Sequence, residues 1–337
     1  MSRETDRQDT PLSMSSHAHH AGPWHPVIRN RGTDLALLNS AGLSILLARM
    51  FPSDQYQLID FGDGRRLERF GAWRLDRPCP AVEGVARIDA EAWVTVDGRF
   101  ERGEREEGEW TAIEELPKQW TVAHGPMAFE LSPSVFGHLG VFPEQAANWD
   151  WIAEQLDGAA EPVKVLNLFG YTGGSTLAAA VAGAAEVVHV DAARNTLKRA
   201  RRNAELSGMA DRPIRWIAED AAKFVKRELK RGNRYDAVIL DPPSYGHGPR
   251  GEVWRLSKHL PRLLRMCGEL TADRRRFLLL TCHTPGYTSE RLRQMTAEAL
   301  GGPPGGSDDG HVTAGALTIR AATGRKLPCG VAVRWRA

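Results

Sequence analysis

The chain has 337 residues, enough for two domains and a substantial core. Its 44 Lys and Arg against 42 Asp and Glu leave a formal charge of +2, so overall charge does not point to a polyanionic partner and any such site must be a local basic face. No apolar run approaches the roughly 18 residues of a membrane span. Four scattered cysteines, Cys79, Cys267, Cys282 and Cys329, form no Cys-x-x-Cys pair, which argues against a metal site or a disulfide framework and fits a reducing cytosol.

Residues 1–26 carry Ser, His and charge without an apolar core, so they are expected to form a disordered tail rather than a secretory signal, with His17, His19 and His20 solvated. Residues 27–125 are expected to form a small β-rich domain, after a mostly apolar segment at 34–50. Within it, residues 56–61 and 65–70 flank Asp63-Gly64, a pair that readily adopts the positive φ of a tight hairpin. Residues 93–96 and the stretch from Arg99 repeat the device around Asp97-Gly98. Trp73, Trp93, Trp110 and Trp120 recur among these strands; they suit either a platform that stacks on unpaired bases or, as we expect, a small core. Residues 101–109 read as a solvated charge run.

Residues 126–150 form a linker and an entry helix carrying Trp149, after a strand that ends at Pro133. From 151 to 337 strand and helix alternate, the pattern of a parallel α/β sheet. Strands are predicted near 163–169, 186–191, 213–218, 236–241 and 276–282, and helices near 175–183, 194–207, 220–231, 252–270 and 289–300. Pro261 threatens to break the fourth helix. Residues 301–310 read as a flexible loop, and 312–319 with 331–335 as a closing antiparallel pair.

Two stretches carry chemistry. The first apolar strand runs through Asn167 into Phe169-Gly170-Tyr171-Thr172-Gly173-Gly174-Ser175, a turn whose glycines let the backbone bend tightly at a helix N-terminus. Asp191 ends the next strand about 20 residues later, where a carboxylate suits a ribose hydroxyl pair. The spacing is neither Gly-x-Gly-x-x-Gly nor a Gly-Lys-Ser/Thr phosphate loop. The other stretch is Asp241-Pro242-Pro243-Ser244-Tyr245, at the carboxyl end of the fourth strand, where open α/β sheets place their reactants.

Asn-Leu-Phe-Gly-Tyr-Thr-Gly-Gly resembles the first motif of class I S-adenosylmethionine-dependent methyltransferases, and is especially similar to the ribosomal RNA large-subunit cytosine-C5 methyltransferase group. The resemblance implies a Rossmann-like sheet, parallel with a C-terminal antiparallel hairpin, S-adenosylmethionine as cofactor, and RNA, ribosomal in that group, as partner in the cytoplasm. It implies cofactor contacts from the turn residues Asn167 and Phe169 to Ser175, from Asp191 with Ala192, from Glu219 with Asp220, and from Asp241. Asp220 suits a helix N-cap as well. The group's Gly-Phe-Phe-x-Asp-Gln-Arg segment is matched in part by 140–146, with Glu144 and Ala146 departing from it. No metal is implied, and oligomeric state is left open.

By the same resemblance Asp241, Pro242 and Pro243 would grip a target base, with Ser244, Tyr245 and His283 beside it. Cys282 ends the fifth strand in a Thr-Cys pair like that of pyrimidine C5-methyltransferases. A thiolate adding at carbon 6 would activate carbon 5 for attack on the methyl group. Methylation of an exocyclic amine or ring nitrogen needs Asp241 and Tyr245 but no thiol, and stays open, as does a noncatalytic RNA-binding role.

Overall fold

The computed structural model describes residues 51–103, 107–112, 116–248, 251–301 and 312–337. The tail at 1–26, its histidines, the apolar segment at 34–50 and the loop at 301–310 (Gly301 apart) lie outside them, as do 104–106 of the charge run. All described residues belong to one unit, 45–337.

The chain begins with an antiparallel meander, β1 (Tyr56–Gly62), β2 (Arg65–Phe70) and β3 (Trp73–Pro78), continued by β4 (Gly98–Arg102) and β5 (Gly108–Ala112). The first hairpin turns as expected, with φ of 51° at Asp63 and 70° at Gly64. The second does not exist. Glu91–Trp93 is a single 3₁₀ turn, and β4 joins β3 in parallel, Leu75 opposite Gly98. Asp97 serves the neighbouring strand, its carboxylate accepting from the Arg74 amide at 2.6 Å, and a Cβ at Gly98 would meet Leu116 at 2.5 Å. Gly98 answers to close packing against Leu116 and Leu75, not to a positive-φ turn. The tryptophans are structural: the indoles of Trp93, Trp110 and Trp120 donate to Asp60, to the Ser134 carbonyl and to the Phe70 carbonyl.

A two-stranded ribbon, β6 (Trp120–His124) with β7 (Met127–Leu131), leads through α1 (Ala146–Leu156) into the main sheet. There follow β8 (Lys164–Leu168), α2 (Gly174–Val181), β9 (Glu186–Asp191), α3 (Arg194–Leu206), β10 (Ile214–Ala218), α4 (Ala221–Lys230) and β11 (Ala237–Leu240). A short hairpin of β12 (Tyr245–His247) and β13 (Val253–Arg255) comes next, then α5 (Leu256–Thr271), β14 (Phe277–Cys282), α6 (Ser289–Ala299), β15 (Val312–Arg320) and β16 (Lys326–Arg336). Residues 253–255, expected to open a helix, are instead strand, and Pro261 is carried inside an unbroken α5.

The seven strands lie in the order β10-β9-β8-β11-β14-β16-β15, parallel from β10 to β14 and antiparallel through β16 and β15. This is the expected α/β class with its C-terminal hairpin. Buried on both faces, β11 and β14 read as unbroken apolar runs. One core packs α1, α2 and α3 together with the N-terminal strands on one face of the sheet; α4, α5 and α6 build the core on the other. Strand order reverses beside β8, so the crevice above β8 and β11 is where such a sheet binds ligands. Among the described residues no helix is long and apolar enough to cross a membrane.

Candidate functional site

The turn after β8 is strained toward that crevice. Phe169 and Tyr171, neither of them glycine, have φ of 58° and 48°, and Gly173 enters α2 at 93°. Such backbone persists where its surroundings fix it, and it clusters at binding sites. The surroundings here are specific: a Cβ at Gly170 would meet the His189 ring at 2.4 Å, and one at Gly174 the Trp149 indole at 2.5 Å. The glycines thus bring strand, helix and turn into close packing. The exposed edge of the turn is left to Phe169 and Tyr171.

Asp191 is tied to the same turn. One carboxylate oxygen accepts from the Tyr171 amide at 2.9 Å; the other accepts from the Ala193 amide at 2.8 Å and the Thr196 hydroxyl at 3.1 Å. A carboxylate so held keeps one lone pair aimed outward, which suits a hydroxyl donor. Asp220 caps α4 by accepting from the Lys223 amide at 2.9 Å, and Glu219 is bound by Arg227.

A cavity of about 590 Å³ runs from these acids to the end of β11. Asp191, Ala192, Glu219 and Asp220 line one end; Asp241, Pro242, Pro243, Ser244 and His283 line the other, with Phe169 and Tyr171 between. A smaller cavity beside it takes in Asn167, Gly170, Thr172, Gly174 and Ser175, and shares Asp241, Phe142, Phe169 and Tyr171 with the first. Gly173 lines neither. The donor set fits S-adenosylmethionine: Asp191, Glu219 and Asp220 at one end, aromatic edges along the wall, Asp241 at the other, and small residues in the adjoining cavity.

Asp241 is the best-connected group in the cavity. It accepts from Gln145 at 3.1 Å, from Thr281 at 2.5 Å, and faces His283 Nε2 at 3.2 Å. Burial would raise its carboxyl, but the bonds from His283, Thr281 and Gln145 outweigh burial and hold it below the usual carboxylate range. His283 is held at both nitrogens, Nδ1 lying 2.7 Å from the Cys329 carbonyl. Burial works against its charge, yet Asp241 prevails and lifts it to about 9, so it stands as an imidazolium at neutral pH.

Cys282 lies elsewhere. It is 2% exposed, belongs to the core under α5 and α6, and does not line the cavity. Burial pushes its thiol up, opposed by donation from the Thr284 amide and hydroxyl. Thr284 in turn lies 2.6 Å from the hydroxyl of Ser244 on the cavity wall. Tyr245 sits on the rim, 53% exposed, its hydroxyl 3.1 Å from His247.

Several lining groups were not singled out by sequence reasoning, and four of them stand out. Phe142 stands 5.1 Å from the Tyr171 ring, and Trp254 holds the Pro243 carbonyl at 2.7 Å. Gln145 is oriented by Asn148 at 2.7 Å, and Glu144 lies buried with one oxygen unpartnered. Phe142, Glu144 and Gln145 carried a signal, through the partial match of 140–146 to a motif.

Comparisons agree with this geometry. A family model described as S-adenosylmethionine-dependent methyltransferase matches residues 85–299. The chain is 36% identical over 110 residues to ribosomal RNA large subunit methyltransferase I of Aeromonas hydrophila, covering 32% of this chain and 27% of that one. It is 26% identical over 209 residues to ribosomal RNA large subunit methyltransferase K of Neisseria meningitidis, covering 60% and 58%. The chain thus spans between a quarter and three fifths of these curated relatives. A solved S-adenosylmethionine-dependent methyltransferase from Agrobacterium tumefaciens superposes with a TM-score of 0.78 at 37% identity, over 84% of this chain and 90% of that one. A Streptococcus mutans chain assigned to the same class shares the fold, with a TM-score of 0.64 at 16% identity over 84% and 75%.

Proposed function

The chain belongs to the S-adenosylmethionine-dependent methyltransferase family, and from that premise we propose that it methylates a base of ribosomal RNA. The observation that carries this reading is the single cavity in which Asp191 and Asp241 line opposite ends. When bound, S-adenosylmethionine supplies an electrophilic methyl group. Asp191 would hold the ribose, with Glu219 and Asp220 beside the adenine. Phe169 and Tyr171 would flank the cofactor and exclude water. Asp241 would accept a hydrogen bond from the target base, and the Pro242-Pro243 backbone would fix its edge.

A nitrogen target is favoured, because Asp241 lines the cavity and Tyr245 stands exposed beside its lining residues Ser244 and Gly246, whereas Cys282 is buried away from it. Asp241 can accept from an amine as it loses its proton, and His283 keeps that carboxylate ionised. The carbon-5 route is the second reading, supported by the Thr284 link between Cys282 and Ser244. It requires a buried thiol to turn into the cavity.

Incubating the chain with ribosomal RNA and labelled cofactor, then digesting to nucleosides for mass spectrometry, tests the proposal. Label in a methylated base is expected, and Cys282→Ala is expected to retain transfer. Loss of all product in that variant, with 5-methylcytidine in the wild-type digest, would reverse the two readings. Wild type that binds the cofactor but labels no RNA removes both. Asp191→Ala is expected to weaken cofactor binding by about tenfold in calorimetry, the worth of one good charged hydrogen bond. Unchanged affinity would take the ribose role from Asp191.

A further inference from the structure

From the rim of the cavity a line of cations runs outward along α5. Arg255, the last residue of β13, is followed by Lys258, Arg262 and Arg265, all exposed. Steps of three, four and three residues keep them on one side of the helix, opposite the buried Leu256, Leu260, Leu263 and Leu264. Lys258 and Arg265 stand about 10 Å apart along the axis, seven residues at roughly 1.5 Å each. Among the described residues none of the four forms an ion pair, and the nearest acid along that side is Glu269, beyond the last of them. Exposed cations elsewhere are commonly paired: Lys223 with Glu252, Arg215 with Glu186, Arg231 with Glu228.

The inner end of the line is fixed to the reactive loop. Trp254, one residue before Arg255, lines the cavity and donates to the Pro243 carbonyl at 2.7 Å. Across the β12–β13 hairpin Arg255 stands opposite Tyr245, whose ring is exposed on the rim. An exposed aromatic followed by evenly spaced unpaired cations suits single-stranded nucleic acid, in which bases stack and phosphates follow at intervals.

We propose that Tyr245, Arg255 and the Lys258–Arg262–Arg265 side of α5 form the path of a single RNA strand, delivering its target base to Asp241 while a neighbouring base stacks on Tyr245. This rests on the reading of the chain as an RNA methyltransferase. It adds where the strand lies and which face of the sheet carries it. A second set of exposed cations, Arg194, Lys198 and Arg201 on α3, lies over the opposite face and provides a matched control.

The test compares Lys258→Gln/Arg262→Gln with Arg194→Gln/Arg201→Gln, using fluorescein-labelled single-stranded and double-stranded 20-mer RNAs across a salt series. Loss of two phosphate contacts should reduce the slope of log Kd against log salt by about 1.4, or roughly 25-fold in Kd at 0.1 M relative to 1 M salt. The expected result is that loss for the α5 variant on single strands, with cofactor affinity unchanged by calorimetry and the α3 variant binding as wild type. An α5 variant that binds as wild type, an equal loss in both variants, or a preference for the duplex overturns the assignment. If wild type methylates ribosomal RNA while the α5 variant is unimpaired, only this inference fails. If wild type neither binds nor methylates RNA, the function beneath it fails as well.

Discussion

Asp241→Asn is expected to reduce methyl transfer by about a thousandfold, the usual order for removing a positioned proton acceptor. The substitution keeps the shape and one accepting oxygen, so the cavity survives and cofactor affinity should change far less. It removes the charge that holds His283 as an imidazolium. The wild-type His283 titrates at about 9; without the carboxylate it should return toward the ordinary 6.5. The sign follows from the two shifts. A histidine raised above its unfolded value contributes stability that is complete below about pH 6.5 and lost as pH rises through about 9. The depressed Asp241 contributes stability present above the usual carboxylate range and lost as pH falls through its lowered value. The pair is therefore intact across neutral pH, and the wild-type rate should decline above about pH 9. NMR titration of His283 in both proteins checks the pairing independently of activity. A variant with wild-type rate and an unmoved His283 would remove Asp241 from the centre of the site.

Much of this site was legible because its parts are adjacent in sequence to the strands that aim them. An apolar run ending in a glycine turn predicts β8 and its loop, and a carboxylate ending the next run predicts Asp191. Contacts made by folding were not legible. Gln145 reaches Asp241 across 96 residues of sequence, and its motif match marks the residue without marking that partner. The Asp97-Gly98 pair misled because the glycine answers to Leu116 and Leu75 instead of to a turn. Cys282 shows a subtler limit. The strand end was readable, but side chains alternate along a strand. Thr281 takes the side that meets Asp241, which sends Cys282 into the opposite core. The three-residue strands of the β12–β13 hairpin are too short to leave a periodic pattern, so the start of α5 was misplaced.

The largest loss of stability is expected in the N-terminal sheet, where Glu68 lies fully buried between two arginines. Its carboxylate takes both the Nε and Nη2 of Arg77, at 2.9 and 2.5 Å, and lies 3.2 Å from Arg66, while the Tyr56 hydroxyl donates at 3.0 Å. Burial opposes its charge, but the two guanidinium groups hold it below the usual carboxylate range. Glu68→Ala would leave two guanidinium groups facing each other out of water, a change worth about 3–5 kcal/mol. The effect should reach the cavity, because Arg77 also donates to the Gly137 carbonyl at 3.0 Å, beside the lining residue His138. His138 is already held down to about 4, by desolvation first and then by Arg77 and Arg66, so it stays neutral at the cavity wall. Replacing the whole triad with Met and Leu of similar volume should cost little, since the desolvation of three charges is removed along with their attraction. Urea unfolding of the single and triple variants separates the two expectations. A Glu68→Ala midpoint close to wild type would mean that water reaches the arginines, and that this network does not hold the N-terminal sheet against the cavity.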